Sequence, residues 1–190
     1  MRPSRLTRTA ACVLALAAAA ALPACAKKEP GLEEPAREGL AIDVAGVAYN
    51  VFLTREINPA ITPDQAYYNE KPPGKGRALY GVFIQACNTE SSEARMATDD
   101  FHVEDNQGNE FEPIELSKDN PFAYRPRMLA KGDCIPADGS VAQQGPTGGS
   151  MLLFEFPLEN TENRPLELDI RGPYDFATGK RESKQIELDL

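Results

Sequence analysis

Few groups in this sequence could do chemistry: four cysteines, a single histidine, and carboxylates gathered around residue 105. Cys12, Cys25, Cys87 and Cys134 form no Cys-x-x-Cys pair, and two distant cysteines with one histidine fall short of a zinc site. His102 lies in DDFHVED, out of phase with Phe101 and Val103, so it belongs on the solvent side of a strand. No serine stands in Gly-x-Ser-x-Gly, and the glycines at 145–149 lead toward a strand rather than a helix. Neither a nucleophile elbow nor a phosphate-binding loop is expected from these patterns. Asp99, Asp100, Glu104, Asp105, Asn106 and Glu110 offer the hard oxygen donors that suit calcium, with Asp105 and Glu110 as the candidate ligands. Yet DNQGNE lacks the twelve-residue calcium loop, and Asp, Asn and Gly are what a hairpin turn requires anyway. The expectation is a chain with no catalytic residue, no bound metal and no cofactor.

Cys25 has a more particular setting. Arg2, Arg5 and Arg8 precede an unbroken apolar run over residues 10–24, the arrangement of a secretory signal. The run is shorter than the roughly 20 residues that span a bilayer comfortably. Leu22-Pro23-Ala24-Cys25 at its end resembles the bacterial lipobox, which implies cleavage before Cys25 and its lipidation. The alternative is ordinary secretion, with cleavage after Ala24 or Ala26. Two or more acyl chains would anchor the protein stably, whereas one holds only marginally. Residues 26–39 are charged, hold two prolines and two glycines, and lack apolar periodicity, which reads as a solvated tether. The expected division is therefore 1–24 signal peptide, 25–40 lipidated cysteine and flexible tether, and 41–190 a folded domain.

Removal of residues 1–24 leaves 17 basic against 29 acidic residues, a formal charge of −12. Such a chain is repelled by nucleic acid, and by anionic membrane except at its anchor. Cys12 departs with the signal and Cys25 takes the lipid, so Cys87 and Cys134 remain as the expected disulfide in an oxidising compartment.

The remaining pattern is β. LYGVFIQAC (79–87) and MLLFEF (151–156) are continuous apolar runs, the first long enough to be buried on both faces. YNVFL, FHVED, FEPIEL, LELDI and the final IELDL alternate with period two. Turn residues separate them at 105–109, 161–165 and 175–180, and only residues 63–68 suggest a turn of helix. About seven short strands without a convincing helix indicate an immunoglobulin-like antiparallel β-sandwich. Two connections are long, 58–75 and 117–150, and long loops over a rigid sandwich are often functional. Tyr67, Tyr68, Phe122 and Tyr124 lie in them, either as exposed binding elements or as a satellite cluster folded back over a sheet.

The strand leading into VEDNQGNEF, the long connection, and then GGSMLLFEFPL and PLELDI resemble bacterial immunoglobulin-like surface lipoproteins of a domain-of-unknown-function family. The resemblance runs over residues 49–190 and departs in the cysteine-bearing loop. It implies a β-sandwich at the cell surface and brings no catalytic residues. The expected role is a non-enzymatic binding module on the extracytoplasmic face of the cell membrane, held in the bilayer and contacting an envelope protein or peptide. A small-ligand or calcium carrier is the alternative, and a hydrolase is the third reading.

Overall fold

The computed structural model describes residues 29–190; the signal segment, Cys25 and residues 26–28 lie outside the described residues. In chain order the strands are β1 (Ala36–Arg37), β2 (Ile42–Val44), β3 (Val47–Ile57), β4 (Arg77–Cys87), β5 (Arg95–Met96) and β6 (Asp100–Asp105). They continue as β7 (Glu110–Phe111), β8 (Met128–Leu129), β9 (Cys134–Ile135), β10 (Ser150–Pro157), β11 (Leu166–Asp175) and β12 (Lys180–Leu188).

They form the expected antiparallel β-sandwich. One sheet runs β1-β12-β11-β6-β7; the other runs β10-β4-β3-β2, with β9 pairing the end of β4. Between them lie the alternate residues that the period-two pattern selected: Phe101 and Val103, Leu166, Leu168 and Ile170, Ile186 and Leu188. The second sheet answers with Val82 and Ile84, Phe154 and Phe156, and Tyr49 and Val51. β5 and β8 make a separate two-stranded ribbon.

A third layer covers the outside of the second sheet. Phe83 and Leu79 of β4, with Met151 and Leu153 of β10, face away from the inter-sheet core, where bare apolar surface would be unfavourable. The two long connections fold over them, and a second core forms from Ile57, Tyr67, Tyr68, Leu116, Phe122 and Ala142. A short helix, α1 (Val141–Gln144), ties the longer connection down; Ser140 caps it by accepting from Gln143 N at 3.3 Å.

Three details differ from the sequence expectation. FEPIEL is not one strand: β7 ends at Phe111, and Ile114 bridges instead to Leu153 of the other sheet. Pro113 lacks an N–H for a continuing ladder. The final hairpin is longer than LELDI suggested, since β11 runs on to Asp175 past an irregularity between Arg171 and Tyr174. Lastly, residues before 41, expected in the tether, take part in the sheet. β1 lies parallel to β12, pairing Ala36 with Ile186, while Gln185 N donates to Gly31 O at 2.9 Å. Lys184, buried at the sheet margin, pairs with Glu29. The physical reason is the edge of β12, whose open backbone groups this segment satisfies.

Candidate functional site

The four loop aromatics do not form a binding surface. Tyr67, Tyr68, Phe122 and Tyr124 are only 5%, 6%, 7% and 6% exposed. Tyr67 packs edge-on against Phe83 and close to Phe122, with ring centroids 5.1 and 4.7 Å apart. Tyr124 enters the inter-sheet core beside Phe101, where its hydroxyl donates to Thr98 O at 2.9 Å. Tyr49 meets the same residue from the other side, its hydroxyl accepting from Thr98 N at 2.8 Å. Burial pushes the Tyr49 phenol up to about 12, against the opposing effect of the Thr98 N–H. Tyr124 is raised as well, again first by burial. These rings hold the loops down because leaving them in water would expose large apolar area.

Cys87 and Cys134 are bonded, with an S–S distance of 2.06 Å, and stand directly opposite one another on β4 and β9. The bridge fastens the middle of the 117–150 connection to the end of the central strand. Arg127 reinforces it by donating to Cys134 O at 2.7 Å.

Asp105 and Glu110, the candidate calcium ligands, are separated by what each one binds. Asp105 points inward at the far end of β6 and accepts from Gln107 N, Asn109 N, and the side-chain amides of Asn109, Asn160 and Asn163. Burial acts to raise its pKa, but the amides of Asn160, Asn109 and Asn163 outweigh it and hold the carboxylate well below its usual range. A ring of N–H donors is the opposite of a cation's coordination shell. Glu110 pairs with Arg171 at 2.9 Å. Among the described residues no cluster of three or more His, Cys, Asp or Glu is arranged to hold a metal.

His102 lies on the outward side of β6, where Nε2 is 2.8 Å from an Asp100 carboxylate oxygen. The other Asp100 oxygen takes Arg181, and the Ser183 hydroxyl donates to Asp169 rather than to the histidine. The Nδ1 of His102 is buried without a hydrogen-bond partner.

What the fold leaves uncovered is the outer face of the β1-β12-β11-β6-β7 sheet. The strand registers set Glu110 opposite Glu104, Glu104 opposite Glu167, and Glu167 opposite Glu187. The row ends at Arg37, which donates to Glu187 at 2.9 Å. A second row holds His102 and Asp169, and a third Asp100, Arg171 and Ser183. Glu167 is raised above the usual carboxylate range, first by partial burial and then by the charges of Glu104 and Glu187. Like charges directly opposite on a sheet are destabilising, so this arrangement is not one that stability alone selects. Strand alternation alone shows that these side chains point outward. Only the register shows that they stand in a row.

The other conspicuous surface is the free end of the β11–β12 hairpin, read from sequence simply as a turn. Phe176 is 90% exposed and Tyr174 47%, with their rings edge-on at 5.1 Å. A phenylalanine at a turn tip, outside any alternating pattern, was the signal that could have singled it out.

A mostly antiparallel sandwich with one loop-covered and one open, charged face is the class these features define. No family model matches the chain, and no curated protein matches it. Solved structures similar to it include the ycdA protein of Bacillus subtilis, a candidate lipoprotein, at 9% identity and a TM-score of 0.48. That match covers 77% of this chain, which spans only 38% of the Bacillus protein. The yjhA protein of Bacillus subtilis matches at 8% identity and a TM-score of 0.47, covering 81% of this chain and 99% of its own. A functionally unknown protein from Listeria monocytogenes matches at 10% identity and a TM-score of 0.48, covering 82% and 85%.

Proposed function

We propose that this chain is an extracytoplasmic lipoprotein, anchored through Cys25, whose sandwich is a non-enzymatic binding module. The Cys87–Cys134 disulfide carries the reading. Disulfides persist in oxidising compartments outside the cytosol, and this one takes up the last two thiols of the mature domain. Cys25, at the end of an apolar export signal, is then the cysteine left for acylation. The domain offers a partner the open sheet face around Glu104, Glu167 and Glu187, rather than the long loops, whose aromatics are buried. The carrier alternative has less support, because bulky side chains fill the space between the sheets. A surface groove of about 280 Å³ lies beside Leu166 and Leu188.

Intact mass of the protein purified from its native membrane tests the anchor. The expected value is that of residues 25–190 plus a diacylglyceryl group on sulfur, with or without an acyl group on the amine, less two hydrogens for the disulfide. A mass for an unacylated chain, or for one cleaved after Ala26, would sink the anchored reading. A pulldown from solubilised envelope tests the module: a stoichiometric partner lost on Glu104→Lys with Glu167→Lys supports it. Co-extraction of a small molecule instead would favour a carrier.

A further inference from the structure

We propose that the tip of the β11–β12 hairpin is a second membrane contact, seated in the headgroup layer of the bilayer that holds Cys25. The inference rests on the Cys25 reading and adds to it an orientation for the whole domain.

The observation behind it is the course of residues 29–37 along β12. Because β1 runs parallel to β12, the residues before it lie toward the start of β12, which is the hairpin's free end. Glu29 sits against Lys184, whose ammonium is also 3.5 Å from Glu182. Only three residues lie between Cys25 and Glu29, four steps along the chain and a reach of at most about 14 Å when extended. From Lys184 to Gly179 at the tip is five residues of strand, about 17 Å at 3.3 Å each. An acylated Cys25 therefore keeps the hairpin within range of the surface, and the strands need only incline toward it for the tip to touch.

The tip has the chemistry for that layer. Tyrosine concentrates at membrane–water interfaces and phenylalanine buries at the acyl boundary, and Tyr174 and Phe176 are the pair presented here. Lys180 follows directly, where a cation can meet lipid phosphate, while Arg181 is paired with Asp100; Lys27 and Lys28 come just after Cys25 in the sequence. The one carboxylate at the tip, Asp175, is exposed but bonded within the turn: it accepts from Ala177 N at 2.8 Å and from the Thr178 hydroxyl at 2.7 Å. With Gly179 at φ 67°, these bonds make a firm turn that holds Phe176 outward. Glu90 and Glu93 lie near Gly46 on the β2–β3 turn at this end of the sandwich, and their charge confines the contact to the projecting tip.

The opposite end is the natural control. Leu158 is half exposed there, just after β10 and beside the start of β4. The sequence contains no tryptophan, so Phe176→Trp and Leu158→Trp each give a single fluorescent reporter at an exposed position. Each full-length acylated variant would be reconstituted into phosphatidylethanolamine–phosphatidylglycerol vesicles and floated on a density gradient. The expected result is blue-shifted emission at position 176, quenching by lipids brominated near the carbonyl, and a several-fold lower iodide quenching constant than at position 158. Vesicle-bound protein in which both positions are equally open to iodide, or in which position 158 is the protected one, overturns the proposal while leaving the anchor intact. Protein that fails to float overturns the Cys25 reading and the hairpin contact together.

Discussion

Asp105 illustrates how a side chain's partners decide what its type can do. From sequence it is an oxygen donor in an acidic stretch; in the fold it is the hub that binds the 105–109 turn to Asn160 and Asn163. Asp105→Asn should destabilise the domain by about 2–3 kcal/mol in urea titration at neutral pH, since amide donors would then face an amide. The pH dependence has a definite sign. A carboxylate held low in the folded state stabilises above its unfolded pKa, near 3.9, and that contribution is lost as pH falls below it. The wild-type protein should lose stability on acidification more steeply than Asp105→Asn; parallel acid limbs would refute the assignment. Glu167 has the opposite sign. Its raised pKa means that ionisation weakens the fold as pH rises through the carboxylate range. Glu167→Gln should therefore stabilise at neutral pH by about 0.5 kcal/mol, and the gain should vanish below about pH 4. A variant with unchanged or lower thermal midpoint at neutral pH would show that the glutamate row is not under strain.

Among the elements, the ones legible in the sequence were those long enough to carry a period. LYGVFIQAC and MLLFEF became β4 and β10, paired along their length from Ser150–Ile84 to Pro157–Arg77. β1, β5, β8 and β9 are two residues each and carry no period to read. Whether Tyr67 and Phe122 were exposed could not be read from their loops, but β4 held a hint. A strand apolar on both faces needs cover on both, and one sheet can supply only one side. The row of glutamates was hidden for a different reason: it depends on register between strands far apart in sequence. Gly149 marks the entry to β10 and tests how tightly these elements meet. A Cβ there would stand 2.9 Å from both Ile84 N and Phe83 C, which are backbone atoms that cannot swing aside. Gly149→Ala should cost about 1–3 kcal/mol, with the loss measured by chemical denaturation. A neutral result would mean that the loop–strand junction yields more easily than its packing implies.

At the scale of the molecule, the disulfide fixes the loop layer, and the acyl link proposed at Cys25 is the separate bond that would hold the protein to a membrane. The sandwich core is continuous without the disulfide, as Val82, Phe101, Phe154, Leu168 and Ile186 all belong to one cluster. The loop layer has the smaller second core and is more exposed to local opening. Cys87→Ser with Cys134→Ser should thus lower stability by about 4 kcal/mol, the chain-entropy value for a closed loop of this length. The loss should not be uniform. Hydrogen exchange should speed up first in residues 117–150, where Phe122 and Ala142 would lose the tether that keeps them over Phe83. Amides of β11 and β12, on the far sheet, should remain protected until global unfolding. Equal acceleration in both regions would mean that the loops and the sandwich unfold as one unit, with the disulfide stabilising the whole domain rather than its cover.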